Sequence, residues 1–129
     1  MMNNIQTNRL VTDERLENIG TLVSESAHFT GDFTSDKDIG IKIDGKLEGS
    51  IILKNGGTIH IGPSAAISGA TLEADHIYIE GRVDGNVIAR KTLEISGSAT
   101  LLGDVGYNEL IDLHPRAKIK GLLEFTGEI

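Results

Sequence analysis

A chain of 129 residues with a net charge of −7 and no Cys excludes disulfide frameworks, thiolate catalysis and Cys-type zinc sites, and leaves no basic face for nucleic acid. Only five residues are aromatic whereas 17 are Ile and 16 are Gly, a balance that favours short β-branched strands punctuated by turns over a helical bundle. No apolar run approaches a membrane span, and "MMNNIQTNRL" lacks the charged start and apolar stretch of a secretory signal, so the expected compartment is the cytoplasm.

In chain order, residues 1–20 read as a flexible N-terminal tail. Its charges (Arg9, Asp13, Glu14, Arg15, Glu17) are mixed rather than polybasic, unlike segments that bind anionic lipid. Leu10, Leu16 and Ile19 offer no more than a short amphipathic turn. From residue 21 to residue 129 the chain keeps a beat. Aliphatic pairs recur as Ile41/Ile43, Ile59/Ile61, Ile77/Ile79, Leu93/Ile95 and Ile111/Leu113, at steps of 18, 18, 16 and 18 residues. A second beat, aliphatic-x-Gly, places Gly31, Gly49, Gly69, Gly85, Gly103 and Gly121 at steps of 18, 20, 16, 18 and 18. The long step contains "NGG" (Asn55–Gly57) and the short one follows "LEADH".

Within a unit the inward positions run Ile41, Ile43, Leu47, Ile51. Alternation at spacing two marks strands of a few residues with one buried face, and the glycines supply the corners. Short strands turning every few residues and repeating about every 18 describe an all-β chain coiled on itself, a parallel β-solenoid of about six coils. A left-handed hexapeptide-repeat coil, the scaffold of a class of acyltransferases, shares the 18-residue turn and fits "IGPSAAISG" locally. It fails at Ile43 and Ile79, where the sixth residue onward is Gly49 and Gly85.

Two segments repeat with particular clarity, "IDGKLEGSI" (Ile43–Ile51) and "IEGRVDGNV" (Ile79–Val87). Their acids Asp44, Glu48, Glu80 and Asp84 could suggest paired catalytic carboxylates, but they flank inward aliphatics at odd offsets and so face solvent, with Lys46 and Arg82 between them as weak ion-pair partners. His28, His60, His76 and His114 fall in different coils without HxH or HxxxH spacing, which reads as surface histidine rather than a metal site. "KNGG" (Lys54–Gly57) lacks the spacing of a phosphate loop and reads as a corner. No nucleophile or kinase signature is present. The chain is therefore expected to be no enzyme, with no cofactor, metal site or small-molecule substrate.

Chemistry is expected at the ends instead. A terminal coil exposes apolar interior and unpaired backbone unless something covers it. The last coil offers Leu122, Leu123 and Phe125, and the first offers Leu22, Val23, Phe29 and Phe33. These residues either plug each end or let coil stack on coil between molecules.

The 18-residue beat, the two nine-residue segments and the opening "TLVSESAHFTGDFTSDKDIGIKIDG" resemble the bactofilins, over about Thr21 to Glu128. That resemblance implies a right-handed parallel β-helix of about six windings with flexible tails, assembling end to end into non-polar filaments without nucleotide. It implies a structural role in cell shape or subcellular organisation. It further implies self-association into a homopolymer, membrane or cell-envelope proteins as partners, and a peripheral place at the inner face of the cytoplasmic membrane. Two features depart from the family pattern: the chain stops at Ile129 without a proline-rich tail, and Asn3 and Asn4 interrupt the apolar residues Met1, Met2 and Ile5 of a membrane-targeting peptide. The competing reading is a monomeric β-solenoid binding module for a protein or polymer.

Overall fold

Three short strands separated by corners make one winding, and the computed structural model, which describes residues 10–129, stacks six of them. The first winding is β1 (Thr21–Val23), β2 (His28–Thr30) and β3 (Phe33–Ser35), and the second is β4 (Gly40–Ile43), β5 (Lys46–Glu48) and β6 (Ile51–Leu53). β7 (Thr58–Ile61) opens the third. β8 (Ala66–Ile79) and β9 (Arg82–Ile95) then run on through corners as single long strands, paired with register shifts at Ser68/Ala70 and Ala74/His76. β10 (Thr100–Leu102) and β11 (Val105–Tyr107) complete the fifth winding, and β12 (Leu110–Leu113), β13 (Lys118–Lys120) and β14 (Leu123–Phe125) form the sixth.

Every ladder is parallel, and the register carries like residues over like. Ile41, Ile59, Ile77, Leu93 and Ile111 form one column. Leu47, Ile67, Val83, Leu101 and Ile119 form a second, and Ile51, Leu72, Val87, Val105 and Leu123 a third. The side chains of these columns fill the interior, so the core is one continuous rod of Ile, Leu and Val. Parallel sheets need covered faces. Here the cover comes from the other two faces of the same triangle, and the expected β-solenoid of about six turns is what forms.

Variation in the beat is confined to the corners. Ser24–Ala27, Gly62–Ala65, Ser96–Ala99 and His114–Ala117 are four-residue turns in which the Ala N–H donates to the carbonyl of the first residue, at 2.9–3.1 Å. In the second and fourth windings the same corner contracts to Asp44–Gly45 and Glu80–Gly81. The two look-alike segments are thus the windings with the compact corner. The long glycine step holds the extended corners Lys54–Gly57 and Gly62–Ala65. The short step holds the register shift at Ser68/Ala70 and a single-residue corner at Asp75.

At the next corner the glycines are required. Gly31, Gly49, Gly85, Gly103 and Gly121 have φ of +138°, +146°, +159°, +146° and +153°, and a Cβ on Gly49, Gly103 or Gly121 would strike the carbonyl oxygen of the glycine one winding back. Beside them runs a side-chain ladder. Asp32 Oδ1 accepts from Ser50 N at 2.9 Å, Asn86 Oδ1 from Asp104 N at 3.1 Å, and Asp104 Oδ1 from Leu122 N at 3.1 Å, each link spanning 18 residues.

Of the tail expected over residues 1–20, residues 1–9 lie outside the described residues. The remainder carries one short helix, α1 (Asp13–Glu17), capped by Thr12, whose side chain accepts from Arg15 N. Val11, ahead of that helix, is 0% exposed.

Gly103→Ala is expected to lower stability by roughly 1–3 kcal/mol, since it combines backbone strain at positive φ with a backbone collision. Gly69→Ala has φ strain but open space around its Cβ, and should cost less. Thermal unfolding of the two variants under matched conditions checks the order.

Candidate assembly surfaces

The two ends differ from the middle in one respect, the missing neighbour. Phe29 occupies the column of Leu47, yet Phe29 is 37% exposed and Leu47 0%. At the other end Leu123 is 43% exposed above Val105 at 2%, and Leu113 is 40% exposed above Ile95 at 1%. Phe125, also exposed, follows the column of Tyr107, with ring centroids 5.4 Å apart. These side chains point along the rod's interior columns and stop where the chain stops supplying windings. The strand edges of β1–β3 and β12–β14 are likewise open on one side among the described residues.

Residues 21–124 match the family described as bactofilin, polymer-forming cytoskeletal. The chain belongs to the bactofilin family. It is also similar to bactofilin BacO of Myxococcus xanthus (strain DK1622), at 28% identity over 85 residues, which is 66% of this chain and 64% of that protein. The match therefore spans just under two thirds of the curated relative's length. No solved structure matches.

In this bactofilin the seven residues singled out at the ends do not all lie alike. Leu123, Phe125 and Phe29 face the open ends. Phe33 is half-buried and stacks on Phe29 with centroids 4.6 Å apart. Val23 lies within the core at 6% exposure. Leu22 and Leu122 are exposed, but on flanking positions. Leu22 pairs in register with the outward Lys42, and Leu122 sits in the corner where its N–H is held by Asp104. Leu113, which the sequence reading passed over, belongs to the C-terminal end. The signal for it was the 18-residue step from Ile95.

The sides hold polar contacts between acids and Lys or His side chains. Asp44 pairs with Lys42 at 3.7 Å, Glu48 with His28 at 2.7 Å and Glu80 with His60 at 2.6 Å. Three of the four acids of the repeated segments, Asp44, Glu48 and Glu80, thus find partners other than Lys46 or Arg82. His60 corrects the expectation of surface histidine. It points outward, as its place between Ile59 and Ile61 requires, but is only 9% exposed, because Tyr78 on the next winding stacks over it at 4.9 Å and Glu80 closes the edge. Among the described residues no group of three or more His, Cys, Asp or Glu is placed to hold a metal ion, and no helix is long and apolar enough to cross a membrane.

One cation ties several windings together. Arg90 donates from Nε to Asp75 at 2.9 Å and from Nη1 to Glu73 at 2.9 Å, while Nη2 donates to the carbonyls of Leu53 and Gly56. The "KNGG" corner is therefore a carbonyl acceptor for an arginine two windings away, and its Gly57 N–H donates to Asp38 Oδ1 at 2.8 Å. Arg90→Met keeps the aliphatic stem but removes the guanidinium donor from Glu73, Asp75 and the carbonyls of Leu53 and Gly56, of which Asp75 keeps Lys91 and Gly56 keeps the Asp75 N–H, for an expected loss of about 1–3 kcal/mol. Arg90→Lys, which cannot reproduce the planar fork, should recover only part of it. Chemical denaturation of both variants measures the difference.

Proposed function

We propose that this bactofilin chain is a cytoskeletal scaffold whose copies stack end to end, coil on coil, without nucleotide. The observation that carries the reading is the column arithmetic at the ends. Columns that are buried in the inner windings end in exposed side chains at Phe29 in the first winding and at Leu113 and Leu123 in the last, and a second copy supplies the missing winding. Residues 21–129 act as the polymerising domain and residues 1–20 as a separate N-terminal segment. Leu123 and Phe125, with Leu113, form the C-terminal contact, and Leu122 packs at its rim. Phe29 and Phe33 form the N-terminal contact, flanked by Leu22 and supported from beneath by Val23.

Apolar contact and open strand edges drive such stacking by themselves. Full burial of one Leu or Phe side chain is worth about 1.5–3 kcal/mol, and several lie at each end. A C-terminal face meeting a second C-terminal face makes an isologous contact, and the same holds for the N-terminal faces, so alternation of the two gives a filament without polarity. The right-handed sense, a cytoplasmic location and a role in cell shape or subcellular organisation complete the proposal. The family description, polymer-forming cytoskeletal, supports the cytoskeletal part of this reading, and partners at the membrane or cell envelope fit the charged sides.

Purified protein viewed by negative-stain electron microscopy is expected to show filaments. Phe125→Arg should abolish one of the two junctions and leave species no larger than dimers joined through their N-terminal ends. Long filaments in that variant would contradict the C-terminal contact. A parent chain that stays monomeric at high concentration in size-exclusion chromatography would favour the binding module instead.

A further inference from the structure

The segment Leu10–Asn18 does not simply lead into the first winding. It lies along one flank of the solenoid and, with Gly20 just beyond it, reaches the second, third and fifth windings. At its C-terminal end Gly20 N–H donates to the Gly40 carbonyl of the second winding at 2.9 Å. Arg15 reaches the corner ahead of the second winding through Asp38, at 3.0 and 3.3 Å, and the third winding through Thr58 Oγ1, at 3.3 Å. Val11 N–H donates to Glu94 Oε1 of the fifth winding at 3.3 Å, across 83 residues of sequence, and its side chain is fully buried. Five helical residues give no independent stability, so this segment is held in place by its contacts with the solenoid, these among them.

Between the Arg15 and Val11 contacts, at the fourth winding, stands His76. It is in register between Thr58 and Thr92, and its Nδ1 lies 2.7 Å from Thr92 Oγ1. The charged groups on the elements packed round it are Arg15 with Asp13 and Glu14 on the helix, Asp38 on the corner after β3, Asp75 on β8 itself, and Lys91 and Glu94 on β9. Asp38 and Asp75 are already engaged by Arg15 and Arg90. A proton on His76 would therefore place a new cation beneath an existing one, in a half-covered setting.

We propose that Leu10–Asn18 is an acid-released latch, seated across windings two to five while His76 is neutral and unseated when His76 is protonated. Burial holds His76 below the ordinary histidine range, the Arg15 charge adds to this, and Asp75 acts against it. A group whose pKa is depressed in the seated state contributes its stabilisation fully above the ordinary histidine pKa and loses it as pH falls through the depressed one. Seated, the latch carries Leu10 to the flank of winding five. Unseated, the segment is tethered only through Gly20. The hydrogen bonds named above go to Asp38, Gly40, Thr58 and Glu94 and to none of the end residues Phe29, Leu113, Leu123 or Phe125, so the proposal is tested separately from end-to-end assembly.

The chain has no Trp, so Leu10→Trp in the full-length protein is a single fluorescent reporter of the latch. Emission should be blue-shifted at pH 8 and move toward the solvent-exposed limit on titration to pH 5, while far-UV circular dichroism of the solenoid stays constant. His76→Gln in the same background should keep the blue-shifted emission throughout. Glu94→Gln, which retains an acceptor for the Val11 N–H, should leave the transition in place. The imidazole signals of His76 in the parent, followed by NMR, should titrate with the same midpoint as the fluorescence, a check that needs no His76 variant to fold. A flat emission profile while His76 titrates, unequal midpoints, or a transition that survives His76→Gln would overturn the proposal.

Discussion

The interior of each winding is closed only by the windings above and below it. A triangle of three short strands has no room for a core of its own, so Ile43, Leu47 and Leu53 are fully buried because Ile61, Ile67 and Ala74 lie on the next level. The strand ladders obey the same rule, since every parallel strand looks for its hydrogen-bond partners one winding away. Stability is thus a nearest-neighbour property along the rod, and the two ends carry a deficit of the same kind that the middle satisfies. The proposed end-to-end assembly adds little to that constraint: a second copy would present the surface that the next winding would have presented.

Corners carry the rest of the specification. The strands repeat with almost constant length, and the chain absorbs its irregularities where it turns, as at Gly62–Ala65, Gly69 and Asp75. Glycine is needed at Gly49, Gly103 and Gly121 because the windings approach so closely there that a Cβ has no space beside the carbonyl below. The Asp32, Asn86 and Asp104 side chains then complete the backbone hydrogen bonding one winding on. A glycine for proximity and a short amide or carboxylate for satisfaction make a corner that repeats without a ligand or a metal.

The periodicity of Ile, Leu and Val was readable from the sequence because each inward column is a one-dimensional pattern. Spacing two within a strand and about eighteen between strands place every such residue. The open-end positions of Phe29 and Leu123 were legible for the same reason, with Leu113 recoverable from Ile95, whereas Leu22 and Leu122 fall on flanking positions and Val23 in the core. What depends on contact across several windings was not. His60 looked solvated from its neighbours Ile59 and Ile61, and only the register that stacks Tyr78 on it shows otherwise. Arg90 gave no sign in the sequence that it would reach Leu53 and Gly56, and Val11 none that it would be covered beside Glu94. These links join residues 34, 37 and 83 positions apart, off the beat that makes the rest readable.

The central claim is that copies meet as windings meet, so that the filament continues the solenoid. Cryo-electron microscopy of the filament measures this directly as an axial spacing. Six windings at about 4.8 Å give about 29 Å per copy, and reversal of alternate copies doubles the true repeat to about 58 Å. Density showing the Leu123 and Phe125 end stacked on its counterpart at that spacing is the predicted result. A filament whose copies join through their charged sides, with an axial rise unrelated to the number of windings, would contradict the account.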